Sequence, residues 1–268
     1  MGHLNLKYQK VKVRNKYTHN ALTRKAFDQF NAGILDLGDI AKEAKTINTL
    51  AAVFDLQEFT AFCNQIDPQL VIPEYLSDFL DWLFNATAEA FTREKKADQV
   101  VLWGSLPFFG KFLGDGVLFL WDTEKLFGSK GLGNVVVGLR EICEDYEDKF
   151  FKIASESYSE VPNRLRVGIA RGQALAIGDG RDFVGPCINM ASRLQKIASL
   201  PFALSRRGFD PERCFHQDHQ DDMMVTKTKI RGIGEGELII IYRKDYEELS
   251  EDDKALFHPV SKCKKSKS

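Results

Sequence analysis

Paired cysteines are missing from this sequence. It contains no C-x-x-C pair, and its five cysteines lie far apart, at positions 63, 143, 187, 214 and 263. Neither a zinc ribbon nor a disulfide framework is therefore expected. Scattered, unpaired cysteines are typical of a protein of the reducing cytoplasm, which is where we expect this one.

An excess of one charge and a long apolar run are missing as well. The 37 basic and 38 acidic residues give a formal net charge of -1. No nucleic acid and no anionic membrane surface is therefore expected as a main partner. Charged residues and glycines interrupt each apolar run before about 18 residues, so no membrane-spanning segment is expected. An anionic ligand would have to be held locally, by a metal ion or by a few placed cations.

What is present is enough apolar material for one large domain, since 44% of the residues are hydrophobic. We expect three parts: an N-terminal helical extension over 1–46, a main domain over 47–245 that carries the motifs described below, and a polar C-terminal tail over 246–268. Helices are expected in the extension around 21–30 and 37–44.

Apolar patterns in the middle part predict alternating strands and helices. They predict, in order, a buried strand over 50–56, a helix that opens at Pro73, a hairpin around Gly114-Asp115-Gly116, a helical stretch over 131–155, a strand over 165–177, a helix over 185–198 and strands over 223–230 and 237–242. That order indicates an α+β fold with helices covering one sheet.

Two aspartates are the first candidates for chemistry. Asp55 closes the buried strand, and Asp115 lies at the tip of the hairpin. Long apolar runs flank both, and an unused charge is costly in such surroundings. Carboxylates at the ends of neighbouring strands can share divalent cations, because Mg²⁺ takes one or two carboxylates plus phosphate oxygens. The alternative is structural: Asp55 caps the next helix and Asp115 only shapes the turn.

The segment RDFVGPCINMASRLQ, residues 181–195, is the second candidate. If a helix begins after Gly185, then Asn189 and Arg193 stand one turn apart on the same face. The planar donor fork of arginine suits phosphoryl oxygens. The alternative is a solvated polar stripe on an amphipathic helix.

Four segments, taken in order, resemble the class III adenylyl and guanylyl cyclases. That family carries F-x-D-I-x-G-F-T, K-x-x-G-D, R-x-G-I-x-x-G and D-x-x-G-x-x-V-N-x-A-x-R. This chain has VFDLQEFT at 53–60, KFLGD at 111–115, RVGIARG at 166–172 and DFVGPCINMASR at 182–193. The resemblance implies a class III cyclase homology domain, in which helices pack over a ferredoxin-like sheet with a βαββαβ core.

The resemblance also implies a role for each matching residue. Asp55 and Asp115 would hold two Mg²⁺ or Mn²⁺ ions with the backbone carbonyl of Leu56. Asn189 would orient the ribose, and Arg193 would neutralise charge on the α-phosphate. The remaining implied substrate contacts are Phe54, Thr60 in the phosphate turn 57–60, Lys111 and Asp182 at the base, and Arg231 or Lys229 at the terminal phosphates.

Two departures from the family pattern affect the phosphate pocket. Glu58 replaces the usual glycine of the turn, and Phe54 lies next to Asp55 instead of one residue earlier. In the family, the metal aspartates and the Asn/Arg pair of one site come from opposite subunits. Because this chain carries both sets, the resemblance implies a homodimer with two shared sites.

The base is the least determined feature. Lys111 with Asp182 resembles the adenine-reading pair, yet a lysine donor and an aspartate acceptor also satisfy uracil or cytosine. Three segments, FDLQ-x-F-T, FGKFLGDGVLFLW and DFVGPCIN-x-A-S-RLQ, resemble the bacterial Pycsar pyrimidine cyclases. That resemblance implies conversion of UTP to cyclic UMP, an anti-phage messenger read by a separate effector. The alternatives are cyclic CMP, cyclic AMP, or a degenerate cyclase fold that only binds nucleotide.

Overall fold

The structure is a computed structural model that describes residues 4, 6–13, 17–126 and 130–260. It divides into two compact units. The first consists of Met1–Thr46 and Leu175–Val184, and the second of Ile47–Ala174 and Gly185–Ser268. The first unit therefore includes a segment that the sequence assigned to the catalytic domain.

The N-terminal part of the first unit is a hairpin followed by short helices, which corrects the expected helical extension. Strands β1 (Gln9–Val13) and β2 (Tyr17–Ala21) pair antiparallel, and helix α1 covers only Arg24–Asp28. A 3-10 helix follows at Ala32–Leu35, and the stretch 37–44 forms no helix. The sequence of β1, QKVKV, alternates charged and apolar residues with the period of a strand.

The remaining strands belong mainly to one sheet. Their bounds are β3 Lys45–Leu56, β4 Thr92–Lys95, β5 Val100–Leu102, β6 Phe109–Phe112, β7 Gly116–Asp122, β8 Leu165–Ile177, β9 Asp182–Val184, β10 Phe202–Ser205, β11 Met223–Ile230, β12 Gly234–Tyr242 and β13 Phe257–Pro259. Eight of them follow the spatial order β13-β11-β12-β10-β8-β3-β7-β6. β4 pairs with β5 separately, and β9 pairs with the end of β8.

Ten α-helices and a π-helical segment lie within the described residues. After α1 they are α2 Phe59–Phe62, α3 Pro68–Phe91, α4 Gly131–Tyr146, the π-helical turn Glu147–Phe151, α5 Lys152–Ser157, α6 Pro186–Leu194, α7 Pro211–Cys214, α8 Gln217–Asp222, α9 Arg243–Glu247 and α10 Glu251–Lys254. None is long and apolar enough to cross a membrane. Helix α3 begins at Pro68 and not at Pro73, because Pro68 already occupies the first-turn position that tolerates a missing N–H.

The core of the second unit has the βαββαβ order expected from the sequence. Strand β3 is followed by α3, the β6–β7 hairpin, α4 and β8, and the four strands lie in the order β8-β3-β7-β6. This is the ferredoxin-like arrangement. Antiparallel pairing of β6 with β7 also confirms the hairpin predicted from Gly114-Asp115-Gly116.

The two faces of β3 serve different purposes, because successive side chains of a strand point to opposite faces. Leu50, Ala52 and Phe54 belong to the main core cluster, together with apolar residues of α3 and α4. On the other face, the Thr49 hydroxyl lies 3.5 Å from the Cys187 sulfur of α6. Asp55 has the same parity as Thr49, so its side chain belongs to the face of the sheet that α6 covers.

Most of the expected polar tail, residues 246–260, is folded, which corrects that expectation. Residues 246–260 include α10 and β13, and β13 pairs antiparallel with β11. Leu249 and Phe257 are buried, so this segment is part of the folded unit. The last eight residues, 261–268, lie outside the described part of the chain.

Candidate active site

Asp55 and Asp115 come together at the end of two adjacent strands. Asp55 is paired in register with Gly116, and the N–H of Leu56 donates to the carbonyl of Asp115 at 3.0 Å. A Cβ on Gly116 would lie 1.9 Å from the Phe54 carbonyl oxygen, so only glycine allows this approach of the two backbones. Backbone pairing, and not side-chain flexibility, therefore fixes the two aspartates next to each other.

The Asp55 carboxylate is buried and has a cationic partner. Asp55 is 3% exposed, and Arg166 of β8 donates from Nη2 to Oδ2 of Asp55. Burial raises the pKa of Asp55 above its ordinary value, and the negative charge of Asp115 adds to that rise. The hydrogen bond and charge of Arg166, together with the charge of Lys196, oppose the rise in pKa. A cation next to Asp55 therefore stabilises the ionised form of its carboxylate.

The turn after Asp55 is held in an unusual backbone conformation. Glu58 has φ 67° and ψ 14°, in the left-handed region that favours glycine. The N–H of Gln57 donates to the Arg164 carbonyl at 2.9 Å, and the Glu58 carbonyl accepts from the N–H of Ala61 and of Phe62. Glu58 therefore stands at a position whose conformation favours glycine, the residue that the family pattern has there.

The donor set fits divalent cations of the Mg²⁺ or Mn²⁺ type. Two hard carboxylates belong to paired backbone segments, and Arg166 of β8 already supplies one positive charge to the Asp55 carboxylate. No cluster of three His, Cys, Asp or Glu side chains suited to a metal occurs within the described residues. Magnesium commonly binds through one or two carboxylates and completes its shell with phosphate oxygens and water. The pair therefore suits a metal that arrives with a phosphorylated ligand.

Asn189 and Arg193 lie on the exposed face of α6, as their spacing predicts. Both are exposed, whereas Cys187, Met190 and Leu194 of the same helix are buried. Neither side chain hydrogen-bonds to another residue that the structure describes. An amide and a guanidinium one turn apart, both available, form a suitable pair for a sugar and a phosphoryl group.

A cavity of about 320 Å³ is lined by the Asn189/Arg193 pair and by a second element, the turn between β11 and β12. Its lining residues are Asn189, Ser192, Arg193, Lys196, Gly232 and Ile233. The last two belong to the turn between β11 and β12, directly after Arg231. Lys229, the other candidate for the terminal phosphates, forms an ion pair with Glu235 at 2.9 Å. Arg231 is therefore the better placed of the two candidates.

The remaining candidates are placed as follows. Phe54 is fully buried, and its ring packs edge-on against Phe119 on the face that α3 and α4 cover. Its side chain faces away from Asp55, so we do not retain it in the site. Thr60 is exposed on α2, and Lys111 is half-buried on β6. Asp182 opens β9 in the first unit, where its Oδ1 accepts from the N–H of Phe183 at 2.8 Å.

Sequence reasoning gave no role to Arg166 or Lys196. Arg166 stands in RVGIARG and was treated only as part of a family pattern, although a charged residue among apolar strand positions was a usable signal. Lys196 follows the DFVGPCINMASR segment and carries no pattern of its own. Arg166 acts on Asp55 through an ion pair, and the positive charge of Lys196 opposes the rise in the pKa of Asp55.

Two solved structures that share this fold are adenylyl cyclases by name. The adenylyl cyclase CyaB from P. aeruginosa is 16% identical, with a TM-score of 0.55 over 76% of this chain and 99% of that chain. A bacterial light-regulated adenylyl cyclase is 12% identical, with a TM-score of 0.51 over 87% of this chain and 63% of that chain. No protein-family model and no curated protein matches the sequence. The chain has the class III cyclase fold.

Proposed function

We propose that this protein is a nucleotidyl cyclase, which closes a nucleoside triphosphate into a 3′,5′-cyclic monophosphate and releases pyrophosphate. The observation that carries the proposal is the Asp55–Asp115 pair, fixed side by side by the backbone at the end of β3 and β7. The class III cyclase fold and the exposed Asn189/Arg193 pair support it.

The proposed reaction is an in-line displacement at phosphorus. The 3′-oxygen attacks the α-phosphorus, the bond from that phosphorus to the bridging oxygen breaks, and the hydroxyl proton passes to solvent. Two divalent ions, Mn²⁺ or Mg²⁺, would be held by Asp55, Asp115 and the Leu56 carbonyl, and would supply charge neutralisation and a more acidic 3′-hydroxyl. Little covalent work remains for the protein, so positioning and electrostatics account for the rate.

The chain's own residues would do the positioning. Arg166 favours the ionised form of the Asp55 carboxylate and orients it through its ion pair. Arg193 would donate to the α-phosphoryl oxygens as their charge grows, and Asn189 would hold the ribose. Thr60 and the turn after Asp55 would approach the triphosphate, with Arg231 at its terminal phosphates. None of these side chains needs to form a covalent bond.

A homodimer with shared sites is part of the proposal. The family resemblance assigns the aspartates and the Asn/Arg pair of one site to opposite subunits, and this chain carries both sets. Asp55→Ala and Arg193→Ala chains, each inactive alone, should regain activity when they are mixed and re-dimerised, because each heterodimer contains one intact site. The matched control mixes Asp55→Ala with Asp115→Ala, which share the same damaged half. Equal activity in both mixtures would contradict shared sites.

UTP is the proposed substrate, on the resemblance to the pyrimidine cyclases. Lys111 and Asp182 would read the base by a donor and an acceptor. Both solved structures described above are adenylyl cyclases by name, so ATP is the main rival. Chromatography of the products from an equimolar mixture of UTP, CTP, ATP and GTP with Mn²⁺ tests the choice. We expect cyclic UMP as the dominant product; dominant cyclic AMP would reject the pyrimidine proposal and leave cyclase activity standing.

The biological role in the proposal is an anti-phage signal. Cyclic UMP made in the cytoplasm would act on a separate cyclic-nucleotide effector. The cysteines in the described residues are free thiols, which fits a reducing compartment. Loss of phage resistance in cells that carry an Asp115→Ala variant, together with an intact effector, would support this role. Full resistance with that variant would contradict it.

A further inference from the structure

Residues 36–42 make polar contacts with the turn that joins β8 to β9, inside the first unit. Arg181 Nη1 donates to Asp36 Oδ1 at 2.8 Å and to the Asp36 carbonyl at 3.2 Å. Lys42 Nζ donates to Asp179 Oδ2 at 3.1 Å. All four side chains are more than half exposed, so each ion pair contributes about 1 kcal/mol at most. The ion pairs alone would hold the turn only loosely.

A backbone contact at Gly178 leaves no room for a side chain. Gly178 has φ +55°, and a Cβ built on it would lie 1.4 Å from the carbonyl oxygen of Leu37. No side chain fits there unless the two segments separate. The backbone of 36–42 is therefore seated against the turn itself.

The turn leads directly into Asp182. Its backbone closes through the Arg181 N–H, which donates to the Gly178 carbonyl at 3.3 Å. Asp182 follows Arg181 and pairs in register with Ile177. The turn 178–181 therefore connects the end of β8 directly to the residue that opens β9, which is Asp182.

We propose that residues 36–42 act as a brace, which fixes the 178–181 turn and thereby makes Asp36, Leu37 and Arg181 positioning residues for Asp182. The part of this proposal that concerns base selection rests on the proposed function, through the role of Asp182 at the base. The brace itself is independent of that role. It gives the N-terminal extension a definite task, which neither its composition nor the family resemblance provides.

Gly178→Ala and Gly180→Ala form a matched pair of variants that tests the brace. Gly180 has φ +86°, so alanine is strained there as well, but no atom lies within 4 Å of its added Cβ. Amide hydrogen exchange of 36–42 and 175–184 is the first measurement, and it needs no substrate. We expect exchange about tenfold faster in both segments of Gly178→Ala, and little change in 36–42 of Gly180→Ala. Equal exchange of 36–42 in the two variants would overturn the brace.

Cyclase kinetics with each nucleotide are the second measurement. A base contact contributes to substrate and transition-state binding alike, so its disturbance raises KM and leaves kcat nearly unchanged. Gly178→Ala should raise KM for the preferred nucleotide about tenfold and reduce its preference over the other three, whereas Gly180→Ala should keep that preference. Faster exchange with unaltered selectivity would overturn the positioning role. An inactive wild-type protein would instead reject the proposed function, and the exchange result would still decide the brace.

Charge reversal keeps the test valid if Gly178→Ala fails to fold. Asp36→Arg should accelerate exchange of 175–184, and Arg181→Glu should do the same. The double variant restores an ion pair of reversed polarity and should recover the wild-type exchange rate and nucleotide preference. A double variant that is no better than the single ones would contradict a positioning role for this contact.

Discussion

Two buried Asp–Arg ion pairs lie in the second unit, and they differ in what surrounds them. Asp55 pairs with Arg166, with side chains 5% and 15% exposed, and Asp245 pairs with Arg140, with side chains 4% and 8% exposed. Burial raises the pKa of both carboxyls, and in each case the arginine opposes that rise. Burial and pairing alone therefore do not distinguish a functional pair from a structural one.

The second carboxylate near each pair makes the difference. Beside Arg140 it is Glu144, at 3.0 Å on the next turn of α4, with a side chain that is 54% exposed. The Arg140 guanidinium also lies 5.1 Å from the ring centroid of Tyr242, so this cation has partners on several sides. Beside Asp55 the second carboxylate is Asp115, which backbone pairing holds in place. Glu144 is paired with Arg140 itself, whereas Asp115 adds negative charge next to Asp55, which favours a divalent cation there.

Removal of divalent metal should have the largest effect. It should affect the Asp55 site and leave the Asp245–Arg140 pair intact. EDTA should abolish cyclisation, because the loss of metal charge costs several kcal/mol in the transition state, and Mn²⁺ or Mg²⁺ should restore it. The free energy of unfolding should hardly change, since the Asp245–Arg140 pair uses no metal. The checks are product formation and urea unfolding in the same buffers. Turnover that persists in EDTA would show that the Asp55–Asp115 pair is not a metal site.

Asp245→Asn should reverse that pattern. It leaves the Arg140 charge buried without its closest partner, so the free energy of unfolding should fall by about 4 kcal/mol. The kcat of the folded fraction should stay close to that of the wild type. Asp55→Asn is the matched control: it should destabilise to a similar degree, because Arg166 loses the carboxylate it is paired with, and in addition it should abolish turnover. If both variants lost stability and activity to the same degree, the distinction between the pairs would fail.

Arg193 belongs to neither pair and has no partner among the described residues, so its removal should affect only the reaction. Arg193→Ala should lower kcat about a hundredfold, or about 3 kcal/mol, as expected for a lost transition-state donor. The melting temperature should not move. Arg213→Ala, an exposed arginine on α7, is the control and should leave kcat unchanged. A drop in melting temperature that parallels the loss of kcat would indicate a structural role for Arg193.

The smallest effect is expected from a substitution in the 57–60 turn, which directly follows Asp55. Glu58→Gly removes the left-handed strain at φ 67° and should raise the free energy of unfolding by about 1 kcal/mol. Glu160, an exposed residue at φ 53°, offers a control position with similar strain far along the chain. Thermal unfolding measures both substitutions. Destabilisation by Glu58→Gly would mean that the Glu58 side chain makes a contribution larger than the strain.

Much of the core could be predicted from the sequence, because local patterns determine it. The strand Leu165–Ile177 and the hairpin around Asp115 follow from apolar runs and from a turn that needs glycine. The exposure of Asn189 and Arg193 follows from helical spacing alone. These features depend on neighbours within a few residues, and the sequence displays such neighbours directly.

The features that escaped prediction depend on partners far apart in the chain. Arg166 and Asp55 are separated by 111 positions, and nothing local indicates that they pair. The segment 36–42 contacts the 178–181 turn in the same way, across more than 130 residues. The end of the chain was mistaken for a tail because its strand, Phe257–Pro259, has only three residues and is ordered by pairing with β11.

The central claim is that Asp55 and Asp115 together carry the chemistry. The most direct measurement is the rate of cyclic nucleotide formation by an Asp55→Ala/Asp115→Ala double variant beside the wild type, in Mn²⁺ with the four ribonucleoside triphosphates. Circular dichroism on the same samples establishes that both are folded. We predict a cyclic product from the wild type and none from the folded double variant. Undiminished cyclisation by that variant would contradict the account.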